Sequence, residues 1–134
     1  MAAALATACA ALTLSPCLAA EAQVGPGATP NASADGQKLG QLAYVLGVAH
    51  ALHRVCSGPQ DGFWYELMQR LIQTERPDVA TRRQLIDQFN QGYAQSQTQY
   101  RDCNEASRNA AIDAARQGQA LISSLAPPNP AQQH

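Results

Sequence analysis

Leucines and small residues recur at helical spacing from Gln37 onward. Between about Gln37 and Val55, Leu39, Leu42, Leu46, His50 and His53 advance by threes and fours and share one face of a helix. Gly40, Ala43 and Gly47 form an adjoining strip. Small side chains at that spacing let a second helix approach closely, which accounts for two glycines that each cost about 1 kcal/mol of helix propensity. Cys56-Ser57-Gly58-Pro59 then stops the helix, with Gly and Pro in the usual order. A second pattern follows a capping Asp61: Trp64, Leu67, Met68, Leu71 and Ile72 form an amphipathic stripe that ends before Pro77.

The third pattern is the longest. It starts near Asp78 or Thr81, either of which can cap, and runs through Leu85, Phe89, Tyr93, Ser96, Tyr100, Cys103, Ser107, Ala110, Ala114, Gly118, Leu121 and Leu125. Its mean step of about 3.6 residues is the period of a straight α-helix. One continuous helix of that length would reach roughly 65 Å, long for the two shorter helices beside it. A break near Gly92 or within Gln95-Ser96-Gln97-Thr98-Gln99 is the alternative. No stretch alternates as a strand does, and short connections favour antiparallel neighbours. The pattern therefore predicts an all-α fold, a helical hairpin or three-helix bundle with a long C-terminal helix and one disulfide.

The flanks carry no such periodicity. Residues 1–22 read MAAALATACAALTLSPCLAAEA, an uncharged apolar run, a Ser15-Pro16 break, then small residues: the layout of a secretory signal peptide without a basic start. Cleavage is expected after Ala19 or Ala22. The run is Ala-dominated and Pro-interrupted, so no stable membrane insertion is expected once it is removed. Residues 23–36, QVGPGATPNASADG, read as a flexible linker, residues 37–125 as the helical domain, and residues 126–134, ending PPNPAQQH, as a disordered tail.

Losing the leader removes Cys9 and Cys17 and leaves Cys56 and Cys103. An even pair in an exported chain reads as one disulfide, valuable to a domain with so small a core. Periplasmic or secreted localisation follows from the same reading. Nine basic residues against ten acidic ones leave a formal net charge of −1, so no bulk field draws the chain to nucleic acid.

Four motif groups now stand in order: L-A-Y-V-L-G-V-A-H-A-L-H-R-V-C over residues 42–56, W-Y-E-L-M-Q-R-L-I-Q-T-E over 64–75, F-N-Q-G-Y over 89–93 and Y-R-D-C over 100–103. In this combination the chain resembles an uncharacterised family of small secreted alphaproteobacterial proteins, known only as a domain of unknown function. The resemblance covers nearly the whole helical region. It implies export and a paired Cys56 and Cys103, and brings no activity. The chain departs from the family pattern in carrying His53 where Arg stands, which speaks against His50 and His53 as a family-wide ligand set.

Chemistry is sparse. His50-x-x-His53-x-x-Cys56 invites a metal, but Cys56 is expected to be oxidised and no further ligand has suitable spacing, so neither metal nor cofactor is expected. No nucleophile elbow, zinc helix or phosphate loop is present, and Glu66, Glu75 and Asp87 read as solvated charges rather than partners of His50 in acid–base work, so an enzyme is not expected. The most unusual stretch is Phe89-Asn90-Gln91-Gly92-Tyr93, where Asn and Gly, both poor interior helix residues, sit between aromatics. Gly92 would admit a close neighbour, either Trp64 or the first helix. Asn90, Tyr93, Tyr100, Trp64 and His50 are the candidate binding residues, an amphipathic surface for an envelope protein or glycan. A non-enzymatic periplasmic interaction or scaffold module is the expected function. The alternative is a small-ligand or metal carrier using a groove near His50, Trp64 and Tyr93.

Overall fold

The computed structural model describes residues 30–126, so the expected signal peptide, most of the expected linker and residues 127–134 lie outside the described residues. Within them are four helices and no strand: α1 Pro30–Ser57, α2 Phe63–Glu75, α3 Val79–Gln99 and α4 Glu105–Leu125. The all-α expectation holds, with one helix more than the three patterns.

The extra helix comes from dividing the third pattern. It breaks neither at Gly92, which is in mid-helix, nor among the glutamines, but just past them, over residues 100–104. Tyr100 leaves helical geometry with φ −119° and ψ 97°. Asn104 then caps α4 through a reciprocal box with Ser107: its Oδ1 accepts from the Ser107 N–H at 3.0 Å, and its own N–H donates to Ser107 Oγ at 2.9 Å. A box of this kind satisfies two of the donors a helix start leaves open. The 3.6-residue period continues across the break, so periodicity alone could not reveal it.

Two other ends differ from expectation. α1 begins at Pro30, inside the stretch read as a linker; proline suits a first helical position because its missing N–H would have had no intrahelical partner. Asp61 does not occupy the cap of α2. Gly62 does, and Asp61 reaches past it to accept from the Phe63 N–H at 2.9 Å. At α3, Asp78 is the cap, accepting from the Ala80 and Thr81 N–H groups, and the Thr81 hydroxyl donates to its other oxygen at 2.8 Å. These bonds hold the Asp78 carboxyl below the usual carboxylate range.

α1 is the centre of the bundle. The other three helices pack chiefly on it and little on one another. Leu42 and Leu46 join Met68 and Ile72 of α2 and Leu85 and Phe89 of α3 in the main core, while Val45 and Ala49 meet Ala114 of α4 in a second cluster. Apolar residues on every side of a helix are the mark of a buried one, and α1 carries them on three sides. Leu52 and Leu85 are almost wholly withdrawn from water, each contributing about 2 kcal/mol by burial.

Contacts along the helices give their directions. Gly40 meets Gln88, Tyr44 bonds to Gln95, and Cys56 is joined to Cys103, so α3 runs parallel to α1. Ser107 lies by Cys56 and Lys38 donates to the Ser124 carbonyl, so α4 runs antiparallel to it. Sequential neighbours alternate in direction as expected, yet the most extensive interface is the parallel one between α1 and α3. Its closeness rests on two glycines facing opposite ways: a Cβ on Gly47 would strike the Phe89 carbonyl, and one on Gly92 would strike the Tyr44 carbonyl. The close neighbour of Gly92 is thus the first helix and not Trp64.

The disulfide closes one end of this arrangement. Cys56 and Cys103 are bonded, with Cα atoms 4.8 Å apart. Cys103 sits in the α3–α4 connection rather than on a helix, which is how a residue so far along the third pattern reaches the end of α1. Both cysteines are exposed.

Candidate functional site

The five residues singled out by sequence fall into three places. His50 and Tyr93 come together where α1 and α3 meet on the side of α2. The His50 ring, 8% exposed, lies against Tyr93 at a centroid distance of 5.2 Å and stacks on Phe89 at 5.9 Å. Its Nδ1 has no hydrogen-bond partner among the described residues. Burial pushes its pKa below the ordinary 6.5, the positive charge of Arg54 and nearby His53 add to that, and Asp61 opposes it. His50 is therefore a neutral aromatic wedge at neutral pH. Asn90, next to buried Phe89, is exposed, and Tyr93 is half-buried with its hydroxyl accepting from Gln97 Nε2 at 2.9 Å.

Trp64 lies elsewhere. Its half-buried side chain packs against both core clusters, the second being that of Val45, Ala49 and Ala114, and takes the Phe63 ring edge-on at 5.2 Å. This is a core position between α1 and the other helices. Tyr100 marks the third place: it ends α3 and lines an open groove facing α4. His50, Trp64 and Tyr93 line none of the four principal grooves of the described residues.

His53 does not complete a ligand set with His50. Its Nδ1 sits 2.9 Å from Asp61 Oδ2, at ion-pair distance without hydrogen-bond alignment. Among the described residues no three His, Cys, Asp or Glu side chains are grouped to hold a metal.

Sequence reasoning missed Tyr65. It is 52% exposed, and its ring meets Phe89 edge-on at 6.3 Å, so it completes an aromatic surface running from Tyr65 over Phe89 and His50 to Tyr93, with Asn90 on the rim. The signal was present: Tyr65 directly follows Trp64 and so stands about 100° round from it, off the buried stripe of α2. Phe63, 56% exposed, stands off the same stripe on its other flank.

The grooves missed by sequence lie mostly along α4. One of about 280 Å³ between α1, α3 and α4 is lined by Tyr44, Gln95, Ser96 and Tyr100 among others, and a neighbouring one of about 390 Å³ shares Tyr44, Val45 and Gln117 with it. A smaller apolar groove of about 220 Å³ lies between α2 and α4 over Leu42 and Leu46. Among the described residues no helix is long and apolar enough to cross a membrane.

No curated protein and no solved structure matches this chain. The family model of a protein of unknown function, DUF2385, matches residues 35–127, from the second turn of α1 to just past α4, and the chain belongs to that family.

Proposed function

We propose that the protein is a non-enzymatic interaction module of the bacterial envelope, exported through its N-terminal segment and docking a protein partner through the aromatic surface at the α2–α3 edge. The observation that carries this reading is the half-exposed set of Tyr65, Asn90 and Tyr93 seated on a fixed floor of Phe89 and His50. Aromatic groups with polar tips on a rigid base are the usual anchors of protein interfaces, because little side-chain entropy is lost on docking. The separation of Trp64 from Tyr93 weighs against the carrier alternative, which needed both at one groove.

Photo-crosslinking in the native envelope tests the reading. A crosslinker placed at position 65 or 90 should give a discrete adduct that is absent from position 116 on the outer face of α4 and lost when Tyr93 is changed to Ala. The same adduct from all three positions, or none from 65 and 90, would reject the surface. Intact mass of the exported protein checks the address: a chain lacking its first 19 to 22 residues is expected, and a full-length chain in the membrane fraction would reverse it.

A further inference from the structure

The two adjoining grooves between α3 and α4 make one furrow along α1, because they share Tyr44, Val45 and Gln117. Its walls have an unusual composition. Gln95 and Gln99 reach in from α3 at one end, Gln41 and Gln88 at the other, and Gln117 stands between. Tyr44 and Tyr100 provide the only aromatic faces, and no Lys, Arg or His lines the furrow. The sole charge is Asp113, which also sits 3.7 Å from Arg116. The apolar part of the lining is Val45, Val48, Ala110 and Ala114 at the Gln95 end, with Ala120 and Leu121 at the Gln41 end, which is the more apolar of the two. One contact is set in advance, the Tyr44 hydroxyl donating to Gln95 Oε1 at 2.6 Å. That bond fixes the amide so that its NH₂ remains free to donate.

We propose that this furrow binds a neutral saccharide chain. Carboxamides offer a donor and an acceptor side by side, which matches vicinal hydroxyls, and phenol faces suit the C–H faces of sugar rings. The furrow lacks the cations that a phosphate or an acidic glycan would require. An extended peptide is a poorer fit, since a helical surface has no free backbone edge to pair with, and the larger aliphatic groups, Val45, Val48 and Leu121, share the lining with five glutamines rather than forming the apolar stripe a docked helix needs. Because the furrow continues past Tyr44, an oligosaccharide should gain over a disaccharide. The site lies on the opposite side of α3 from Asn90 and Tyr93 and does not rest on the aromatic surface described above.

The test is an amide-resolved NMR titration of the disulfide-bonded protein with cellobiose, maltose and N,N′-diacetylchitobiose, and with a neutral Gly-Ser peptide as comparison. At least one sugar should give saturable shifts at Gln95, Gln99, Ala114 and Gln117. Its affinity should fall about tenfold in the Gln99→Ala, Gln117→Ala double variant, as expected for two lost neutral hydrogen bonds. Tyr44→Phe, which frees Gln95, should weaken it as well, and Asn90→Ala should leave it unchanged. The tetramer of the bound sugar should bind tighter than the dimer, and Gln41→Ala should remove that gain. Glutamines 99 and 117 are exposed, so their loss leaves the fold intact, which an unchanged thermal midpoint verifies. No saturable shift with any of the three sugars, shifts that survive the double variant, or binding of the peptide in their place would overturn the proposal.

Discussion

The two flanks of α1 are joined in opposite ways. On the α3 side, backbone approaches backbone at Gly47 and Gly92, and Leu85, Phe89 and Ser96 are buried. On the α4 side only Ser107 and Ala114 are buried, Ile112 and Ile122 stand in water, and three of the four grooves open along the seam. α4 is held in its middle by Ala114 against Val45 and Ala49, and at its ends by the disulfide-bearing connection and by Lys38 on the Ser124 carbonyl at 3.1 Å. Small residues thus make the tighter seam. A side chain at Gly47 would prop the helices apart, whereas a Cβ added at Gly118 would meet Val45 Cγ1 at 3.6 Å, an ordinary contact.

The largest expected effect comes from the disulfide. Replacing Cys56 and Cys103 by Ser should cost up to about 4 kcal/mol, the loop-closure figure for so long a loop. The loss should fall unevenly. Hydrogen exchange in the reduced or substituted protein should quicken across α4 while amides around Gly92 stay protected, since local opening follows sparse burial. Equal loss of protection in α3 and α4 would break the comparison.

Next comes the glycine seam. Gly47→Ala forces a methyl onto the Phe89 carbonyl, a backbone atom that cannot yield, and should cost about 3 kcal/mol or more in denaturant unfolding. Gly40→Ala, two strip positions earlier, meets only Gln88 Cγ at 3.9 Å and should instead gain about 0.5 kcal/mol through helix propensity. Like outcomes for the two variants would show that close approach is not what the strip provides. At the head of α4, Asn104→Ala should cost about 1 kcal/mol by removing the cap, with faster exchange confined to the first turn of α4.

The smallest effect is one of pH. His50 has a folded pKa below its ordinary 6.5 because burial disfavours its charged form. As pH falls, the unfolded chain takes up that proton first. The stability is therefore complete above 6.5 and is lost as pH falls through 6.5 toward the folded value. His50→Phe, keeping the stack on Phe89 and Tyr93, should flatten the decline of the thermal midpoint between about pH 7 and pH 5. An unchanged slope would mean that His50 is hydrated in the folded protein.

Helix type and the disulfide were legible because each has a local sign: the step of three and four through Leu85 and Phe89, and two cysteines left after a leader-like segment. The strip of Gly40, Ala43 and Gly47 announced a close neighbour and left its identity open. What the stripe reading of α1 obscured was centrality. Taking Leu42 and Leu46 as a single face passed over Val45, Ala49 and Leu52, which carry apolar surface round to α4. The break after Gln99 was hidden because Tyr100 and Cys103 keep step while their backbone does not; Asn104, a good capping residue, was its one local sign. Among the candidate residues, the structure brings His50 and Tyr93 together, and Trp64 and Tyr100 could be separated from them only by knowing which side of α1 each helix occupies. The glutamine furrow depends on two helices meeting across a third, and spacing within one helix does not encode that.

The parallel pairing of α1 with α3 also governs how the domain can be divided. Helices joined by short turns lie antiparallel, so a parallel partner must come from beyond an intervening helix, and Tyr44 meets Gln95 across 51 residues of chain. A fragment ending before Val79 would contain a complete α1–α2 hairpin and still leave Ala43, Gly47 and His50 facing water. A fragment beginning after Ser57 would hold the Phe89 and Gly92 surface with nothing to lay it on. Neither half is a smaller version of the whole, and nascent chain emerging from a ribosome cannot close the glycine seam until the end of α3 has followed it out.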